Sequence, residues 1–161
     1  MTHPHLPQNK LTTLLVLVAA GYCSTVTAGI EEIQPISFGS FVVTGNDLVS
    51  TLTVPSSNLS SSTSTQKIHI LMPGQNGIYR LTGMPINTSV SINIPNSFIT
   101  WNGTGTRETF LIEDFEYPSQ RQTNGIGETE FYVGATLKTT GTTGIYYASP
   151  YSGNILIQVN W

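Results

Sequence analysis

The amino-acid sequence predicts an all-β protein, an antiparallel β-sandwich of about eight to ten short strands. The first observation is that apolar and polar residues alternate in short segments, which places the apolar side chains of each strand on one face. The second is that clusters of Gly, Pro and Asn separate these segments, as is typical of tight turns. The third is that no stretch of ten or more residues beyond the N-terminal segment shows the 3.6-residue period of a helix.

The composition indicates one domain with a packed core and argues against a nucleic-acid-binding function. The chain has 161 residues, of which 39% are hydrophobic, and this is enough for a single domain. Charged residues make up 9% of the chain, whereas an average soluble protein has roughly 25%. The net charge of −3 provides no basic surface, so we expect no nucleic-acid partner.

Residues 1–28 have the three-part pattern of a secretory signal peptide. Lys10 precedes an apolar run from Leu11 to Ala20, and small residues close the segment at Val26-Thr27-Ala28. The apolar run is shorter than the roughly 18–20 residues that a membrane-spanning helix needs. We therefore predict a signal helix that is cleaved after Ala28, and export to the periplasm, the cell surface or the extracellular space.

The mature chain, residues 29–161, is predicted to be one β-sandwich domain. Cleavage removes Cys23, the one cysteine of the sequence, so the mature domain has no disulfide. Its stability must then come from side-chain packing and from the hydrogen bonds between strands.

Ten segments have the pattern of strands, and turn sequences separate them. They are 36–43, 48–54, 67–72, 78–82, 89–94, 98–101, 107–117, 128–138, 145–148 and 151–161. In the first segment the apolar phase changes beside Gly39, which is typical of a β-bulge or of a strand that changes sheets. A turn at Thr44–Asp47 suggests a hairpin to the second segment, and Pro73–Gly77 is a dense turn signal.

The last residues, 151–161, form the clearest predicted strand. Its apolar face consists of Ile155, Ile157, Val159 and Trp161. We expect this strand to close the sandwich beside 36–43 or 128–138, which have a similar length and apolar character. The apolar residues Ile36, Phe38 and Phe41 of the first strand, together with the four residues of the last, are the candidate assembly residues.

Several motifs in fixed order resemble one known family. They are Ile36–Phe41, Leu81–Pro85, Gly127–Leu137, Tyr151–Gly153 and Val159–Trp161. This order, over essentially the whole mature chain, resembles the secreted bacterial proteins of the domain of unknown function 4402 family. The resemblance implies an immunoglobulin-like or pilin-like sandwich, a surface protein similar to a fimbrial subunit, and self-assembly served by a periplasmic chaperone and an assembly platform. It implies no catalytic residue.

The segment before the first predicted strand bears on how such a polymer could form. A subunit that donates its N-terminal strand needs alternating apolar residues in that strand. Residues 29–35 offer only Ile30 and Ile33, whose spacing is out of phase for one strand face. Strand donation would therefore have to use residues 36–43.

A search for catalytic and metal-binding patterns finds none that we expect to be functional. His69 is the single histidine of the mature chain and should face outward between two apolar positions. Glu128 and Glu130 share a predicted strand face, as do Asp114 and Glu116, which could suit a glycosidase pair or calcium. A solvated face that discourages edge pairing explains them better, so we predict a protein that is not an enzyme and has no metal or cofactor.

The sequence thus predicts a non-enzymatic structural protein that acts through strand pairing and surface contacts. The first alternative is a carbohydrate-binding or adhesin module that uses exposed aromatic rings to contact surface glycans. Its candidate residues are Tyr146, Tyr147, Tyr151 and Trp101. Tyrosines of this kind more often stabilise strand corners through their hydroxyls.

The second alternative is a small outer-membrane β-barrel, because a terminal aromatic residue after alternating apolar residues is also typical of such proteins. Strands of a membrane barrel need about nine to eleven residues. The predicted strands 67–72 and 78–82 are shorter than this, which favours the sandwich.

Overall fold

The computed structural model of the protein describes residues 28–57, 61–95, 98–100 and 108–161. In these residues all regular secondary structure is β-strand, which confirms the all-β prediction. The strands are β1 Gly29–Gln34, β2 Ser40–Val43, β3 Thr51–Val54, β4 Thr63–Ser64, β5 Ile68–Met72, β6 Gly77–Thr82, β7 Ser89–Asn93, β8 Phe98–Thr100, β9 Phe110–Glu116, β10 Gln120–Gln122, β11 Thr129–Lys138 and β12 Gln158–Asn160. The predicted signal segment, apart from Ala28, lies outside the described residues.

The longest strand, β11, is the centre of the larger layer. Its first half pairs with β6, and its second half pairs with β3 on one edge and with β9 on the other. The sheet order is β1-β6-β11-β3-β4, with β8 added beside β9, and every pair is antiparallel. The clean alternation of this strand explains its position, since it buries four apolar side chains on one face: Phe131, Val133, Ala135 and Leu137.

The opposing layer consists of two separate sheets. The sheet β10-β7-β12 packs over β6 and the first half of β11, where Val90 and Ile92 meet Phe131. The sheet β2-β5 packs over β3, β9 and the second half of β11, where Ile68 meets Phe110. The result is an antiparallel β-sandwich, as predicted, with one continuous layer and one divided layer.

The predicted hairpin between 36–43 and 48–54 is wrong. Strand β2 begins only at Ser40 and pairs with β5, whereas β3 pairs with β11 and β4. The cause lies at Gly39, whose φ of 72° takes the chain through the left-handed region. A side chain at this position would collide with the carbonyl oxygen of Met72. The predicted irregularity beside Gly39 is present as a register shift between Ser40 and Phe41.

The predicted final strand is also wrong in its extent and its partner. Only Gln158–Asn160 forms a strand, and it pairs with β7 rather than with 36–43 or 128–138. The segment 145–148 forms no strand, and Trp161 is 61% exposed. The short strands β1, β4 and β10 were not predicted, because few of their residues are apolar. Within the described residues, no helix has the length and hydropathy needed to cross a membrane.

Candidate functional site: an open groove in the divided layer

An open groove of about 1050 Å³ lies where the divided layer fails to cover the continuous one. Two chain segments form its walls, residues 35–43 and residues 146–157. Its floor consists of side chains from β6, β9 and β11, which are Tyr79, Phe110, Ile112, Phe115 and Leu137. Ile30 and Glu32 of β1 also line the groove.

The floor is apolar because inward-facing residues of three strands meet there. Phe110 is 1% exposed and Leu137 is 3% exposed, so the floor is part of the core. In β9 the inward phase passes from Ile112 to Phe115, because Asp114 has a φ of 51° and the pairing with β11 shifts register. This irregularity adds a phenyl ring to the groove that simple alternation would place on the outer face.

The first wall contains the candidate residues Ile36, Phe38 and Phe41. Phe41 packs edge-on against Phe110, with ring centroids 5.5 Å apart. Ser37 is bound to Gln75 by two backbone hydrogen bonds, of 2.9 and 2.8 Å. Between this bridge and the start of β2, the chain forms no strand.

The second wall contains the candidate residues Ile155 and Ile157. Both are half-buried and pack against the core cluster around Phe131, while Leu156 between them is 60% exposed. The alternation of a strand is therefore present, but residues 153–157 form no strand. Of the other two candidates, Val159 lies in β12 opposite Ile92, and Trp161 follows the strand at the surface.

The candidate tyrosines lie together in the second wall. The Tyr146 ring stacks on Phe110 at 4.2 Å, and Tyr151 meets the same ring edge-on at 4.9 Å. The Tyr146 hydroxyl accepts a hydrogen bond from the Thr140 N–H (2.9 Å) and donates one to the Thr109 carbonyl oxygen (3.2 Å). These contacts give Tyr146 and Tyr151 a packing role, whereas the Tyr147 side chain is half exposed.

The remaining candidate for glycan contact, Trp101, lies outside the described residues. Burial raises the pKa of Tyr146 above its ordinary value, as expected for a ring that packs on the core.

A hydrogen-bond network around the buried side chain of Asn46, not predicted from the sequence, holds the start of the second wall. The Asn46 Nδ2 donates to Thr140 Oγ1 (2.9 Å) and to the Gly144 carbonyl oxygen (3.2 Å). Its Oδ1 accepts from the Gly141 N–H at 2.8 Å. The hydroxyls of Thr140 and Thr142 both donate to Glu108 and hold the pKa of that carboxyl below its usual value. The sequence shows a turn residue at position 46 and a Thr-rich connection at 139–144, but nothing in it indicates that the two are in contact.

One carboxylate, that of Glu32, is among the described residues that line the groove. Glu32 pairs with Tyr79 across β1 and β6, and the Tyr79 hydroxyl donates to Glu32 at 3.4 Å. Burial raises the pKa of Tyr79 to about 12, and the charge and hydrogen bond of Glu32 add to this effect. Among the described residues no Lys or Arg lies within ion-pair distance of Glu32.

The carboxylates singled out in the sequence lie outside the groove and are mostly paired. Glu130 binds Arg80 at 2.7 Å. Asp114 and Glu116 are both exposed, on either side of the inward-facing Phe115, but the bulge at Asp114 places its carboxylate with that of Glu113, and both bind Lys138. The Glu116 side chain accepts a hydrogen bond from the Ser56 N–H instead.

The single histidine of the predicted mature chain also lies outside the groove. His69 is exposed on β5. In the described residues no three His, Cys, Asp or Glu side chains come together as a metal-binding group.

The fold and the groove define a class: an antiparallel β-sandwich with one divided layer and an open apolar groove between two chain segments. The family model described as "Domain of unknown function (DUF4402)" matches residues 29–161, and the chain belongs to that family. This confirms the resemblance that the ordered motifs indicate. No curated protein and no solved structure matched the chain.

Proposed function

We propose that this protein is a non-enzymatic, secreted or cell-surface structural protein, similar to a fimbrial subunit, whose groove receives a β-strand from another chain. The observation that carries the proposal is the state of residues 153–157. These residues have the alternation of a strand and continue directly into β12, yet they form no strand themselves. They face an apolar groove instead of a neighbouring strand.

A strand inserted into the groove would complete the divided layer. It would offer backbone hydrogen-bond partners to both walls, which is the basis of strand addition. Its alternate side chains would cover Phe110, Ile112 and Phe115 on the floor. Each large apolar side chain that such a strand buries contributes about 1.5–3 kcal/mol, so a few of them are enough to offset the cost of ordering the strand.

The chemistry of the site favours strand addition over catalysis. The groove lining is mainly apolar, and the described residues that line it include one carboxylate and no histidine or cysteine. The secreted or surface location is supported by the signal pattern of residues 1–28.

Binding of synthetic strand peptides tests the proposal. A peptide with Val or Ile at alternate positions, and Thr or Ser between them, should bind the protein in a fluorescence anisotropy titration. A scrambled peptide of the same composition should not bind, because its apolar residues fall on both faces. The proposal fails if the two peptides behave alike.

Two matched variants locate the binding. Ile155→Thr keeps a β-branched side chain but removes apolar area from the groove, and we expect it to weaken peptide binding about three- to tenfold. Ile145→Thr is the control, because Ile145 is 68% exposed and does not line the groove. Thermal unfolding of both variants would show whether either substitution acts by unfolding the protein, and equal affinities for the folded variants would contradict the site.

A further inference from the structure

The single charge in the groove bears on which strand can occupy it. Among the described residues that line the groove, Glu32 is the one charged side chain. It is on the same side of β1 as Ile30, the side that faces the groove, and its carboxylate is solvent-exposed. Among the described side chains, only the Tyr79 hydroxyl donates a hydrogen bond to the Glu32 carboxylate, at 3.4 Å.

An incoming strand would cover this carboxylate. Removing a charge from water without a partner is costly, and a cation or several N–H donors must compensate. The neighbouring carboxylate Glu31 is different, because it already faces Arg80 on the outer side of the sheet at 3.5 Å. Of these two carboxylates, only Glu32 therefore needs a positive charge from the incoming strand.

The chain's own flanking segments cannot supply that charge. From Leu11 to Gln66 the sequence contains no Lys or Arg, and residues 29–34 contain two carboxylates. Residues 139–161 also contain no Lys or Arg. Residues 36–43 of a second copy contain no charged residue and could not pair with Glu32. A donated strand that included residues 29–34 would place Glu31 and Glu32 near the Glu32 of the groove, and like charges at close range repel.

We infer that the groove is matched to a strand from a different protein, one with apolar residues at alternate positions and a Lys or Arg that pairs with Glu32. This inference rests on the proposed function, since it requires that the groove take a strand. It makes the protein a partner of a different subunit rather than the repeating unit of a homopolymer.

A charge scan of strand peptides tests this. The alternating peptide, acetylated and amidated so that its ends are neutral, carries Lys, Gln or Glu at each polar position in turn. At one position the Lys peptide should bind about tenfold more tightly than the Gln peptide, and the Glu peptide should bind most weakly. High salt should reduce this preference.

Two variants test whether Glu32 causes the preference for the Lys peptide. In Glu32→Gln the Lys, Gln and Glu peptides should bind with affinities within about threefold of each other. Glu31→Gln is the matched control, because it removes the adjacent carboxylate on the opposite face of β1, and it should retain the preference. An apolar peptide that binds all variants without charge preference, or a preference that survives Glu32→Gln, overturns the inference and leaves the proposed function standing.

The protein's own behaviour gives a further test. The purified chain should remain monomeric in light scattering, and a peptide of residues 29–43 should bind more weakly than the Lys peptide. Spontaneous ladders or filaments, or tighter binding of the 29–43 peptide, would overturn the inference while supporting strand addition. If no alternating peptide binds, whatever its charge, both the inference and the proposed function are wrong.

Discussion

Asn46 is a single buried amide on which the shape of the second wall depends. Its side chain contacts Thr140, Gly141 and Gly144, and it is 5% exposed. We expect Asn46→Ala to lower the free energy of unfolding by about 2–3 kcal/mol, because it removes three hydrogen bonds and leaves the partly buried Gly141 N–H without its acceptor. Urea unfolding measures this.

The control for this substitution is Asn93→Ala. Asn93 also donates a side-chain hydrogen bond, to Gln158 at 2.8 Å, but at an exposed position. Its replacement should change stability by no more than about 0.5 kcal/mol. Equal effects of the two substitutions would contradict the structural role given to the Asn46 hydrogen bonds.

The raised pKa of Tyr79 makes the stability of the folded protein decrease at alkaline pH. Its pKa is about 12 in the folded protein, against 10.0 for a free tyrosine. The folded state therefore holds the phenol proton more tightly, so the contribution is fully present below pH 10 and is lost as pH rises through 12. The expected slope from this one group is at most about 1.4 kcal/mol per pH unit.

Comparison with Tyr79→Phe isolates the effect from the other tyrosines. The difference in unfolding free energy between wild type and variant, measured at several pH values, should be constant below pH 9 and change between pH 10 and 12. A difference that stays constant through pH 12 would show that Tyr79 is not protected as described.

At the residue scale, the sequence shows which side chains are apolar or charged but not which other side chains surround them in the fold. Ile36, Phe38, Phe41, Ile155 and Ile157 were predicted as apolar strand residues, and the structure brings all five to one groove. Glu32 was not predicted, because its importance comes from being the one charged side chain among the described residues that line the groove. The bulge at Asp114 was not predicted, because a positive φ at a non-glycine residue leaves no mark in the pattern.

At the scale of elements, Gly134 in the middle of β11 lies where the pairing partner of that strand changes. Residues 129–133 pair with β6 and residues 135–138 pair with β3, and the chain that leaves β3 crosses close to Gly134. A Cβ at this position would lie 2.5 Å from the Val54 carbonyl oxygen and would also collide with the Ser56 nitrogen. This explains why a glycine stands in the motif Phe131–Leu137.

We therefore expect Gly134→Ala to destabilise the protein by at least about 2 kcal/mol, since the colliding atoms belong to the backbone and cannot move aside. Gly125→Ala is the control, because a Cβ at Gly125 would have no heavy atom within 4 Å. Its effect should be within about 0.5 kcal/mol in either direction. A mild effect of Gly134→Ala in thermal or urea unfolding would be inconsistent with this crossing.

The last segment of the chain shows what alternation can and cannot predict. The pattern of 151–161 correctly places Ile155, Ile157 and Val159 on the inner face, where all three are half-buried, but not Trp161, which is exposed. It does not indicate that only 158–160 have a partner strand, because pairing depends on the rest of the layer. Prediction of β1 failed for a related reason: an edge strand with one neighbour needs few apolar residues.

At the scale of the whole molecule, the fold class follows from local sequence patterns, whereas the order of the strands follows from contacts between distant parts of the chain. Turn residues and period-two alternation were sufficient for an antiparallel sandwich. The strand order was not predictable, because the paired strands come from distant parts of the chain, as Gly29 with Thr82 and Leu52 with Leu137. The division of one layer, and hence the groove, follows from that order.

The central claim is that the groove is the place of a missing strand. Hydrogen exchange of the protein, alone and with the alternating peptide, tests it most directly. We predict that the peptide slows exchange of the backbone amides in residues 153–157 and in residues 38–39, while the amides of β6 and β11 remain unchanged. Binding that leaves 153–157 exchanging as fast as in the free protein, or that protects a different edge, would contradict the claim.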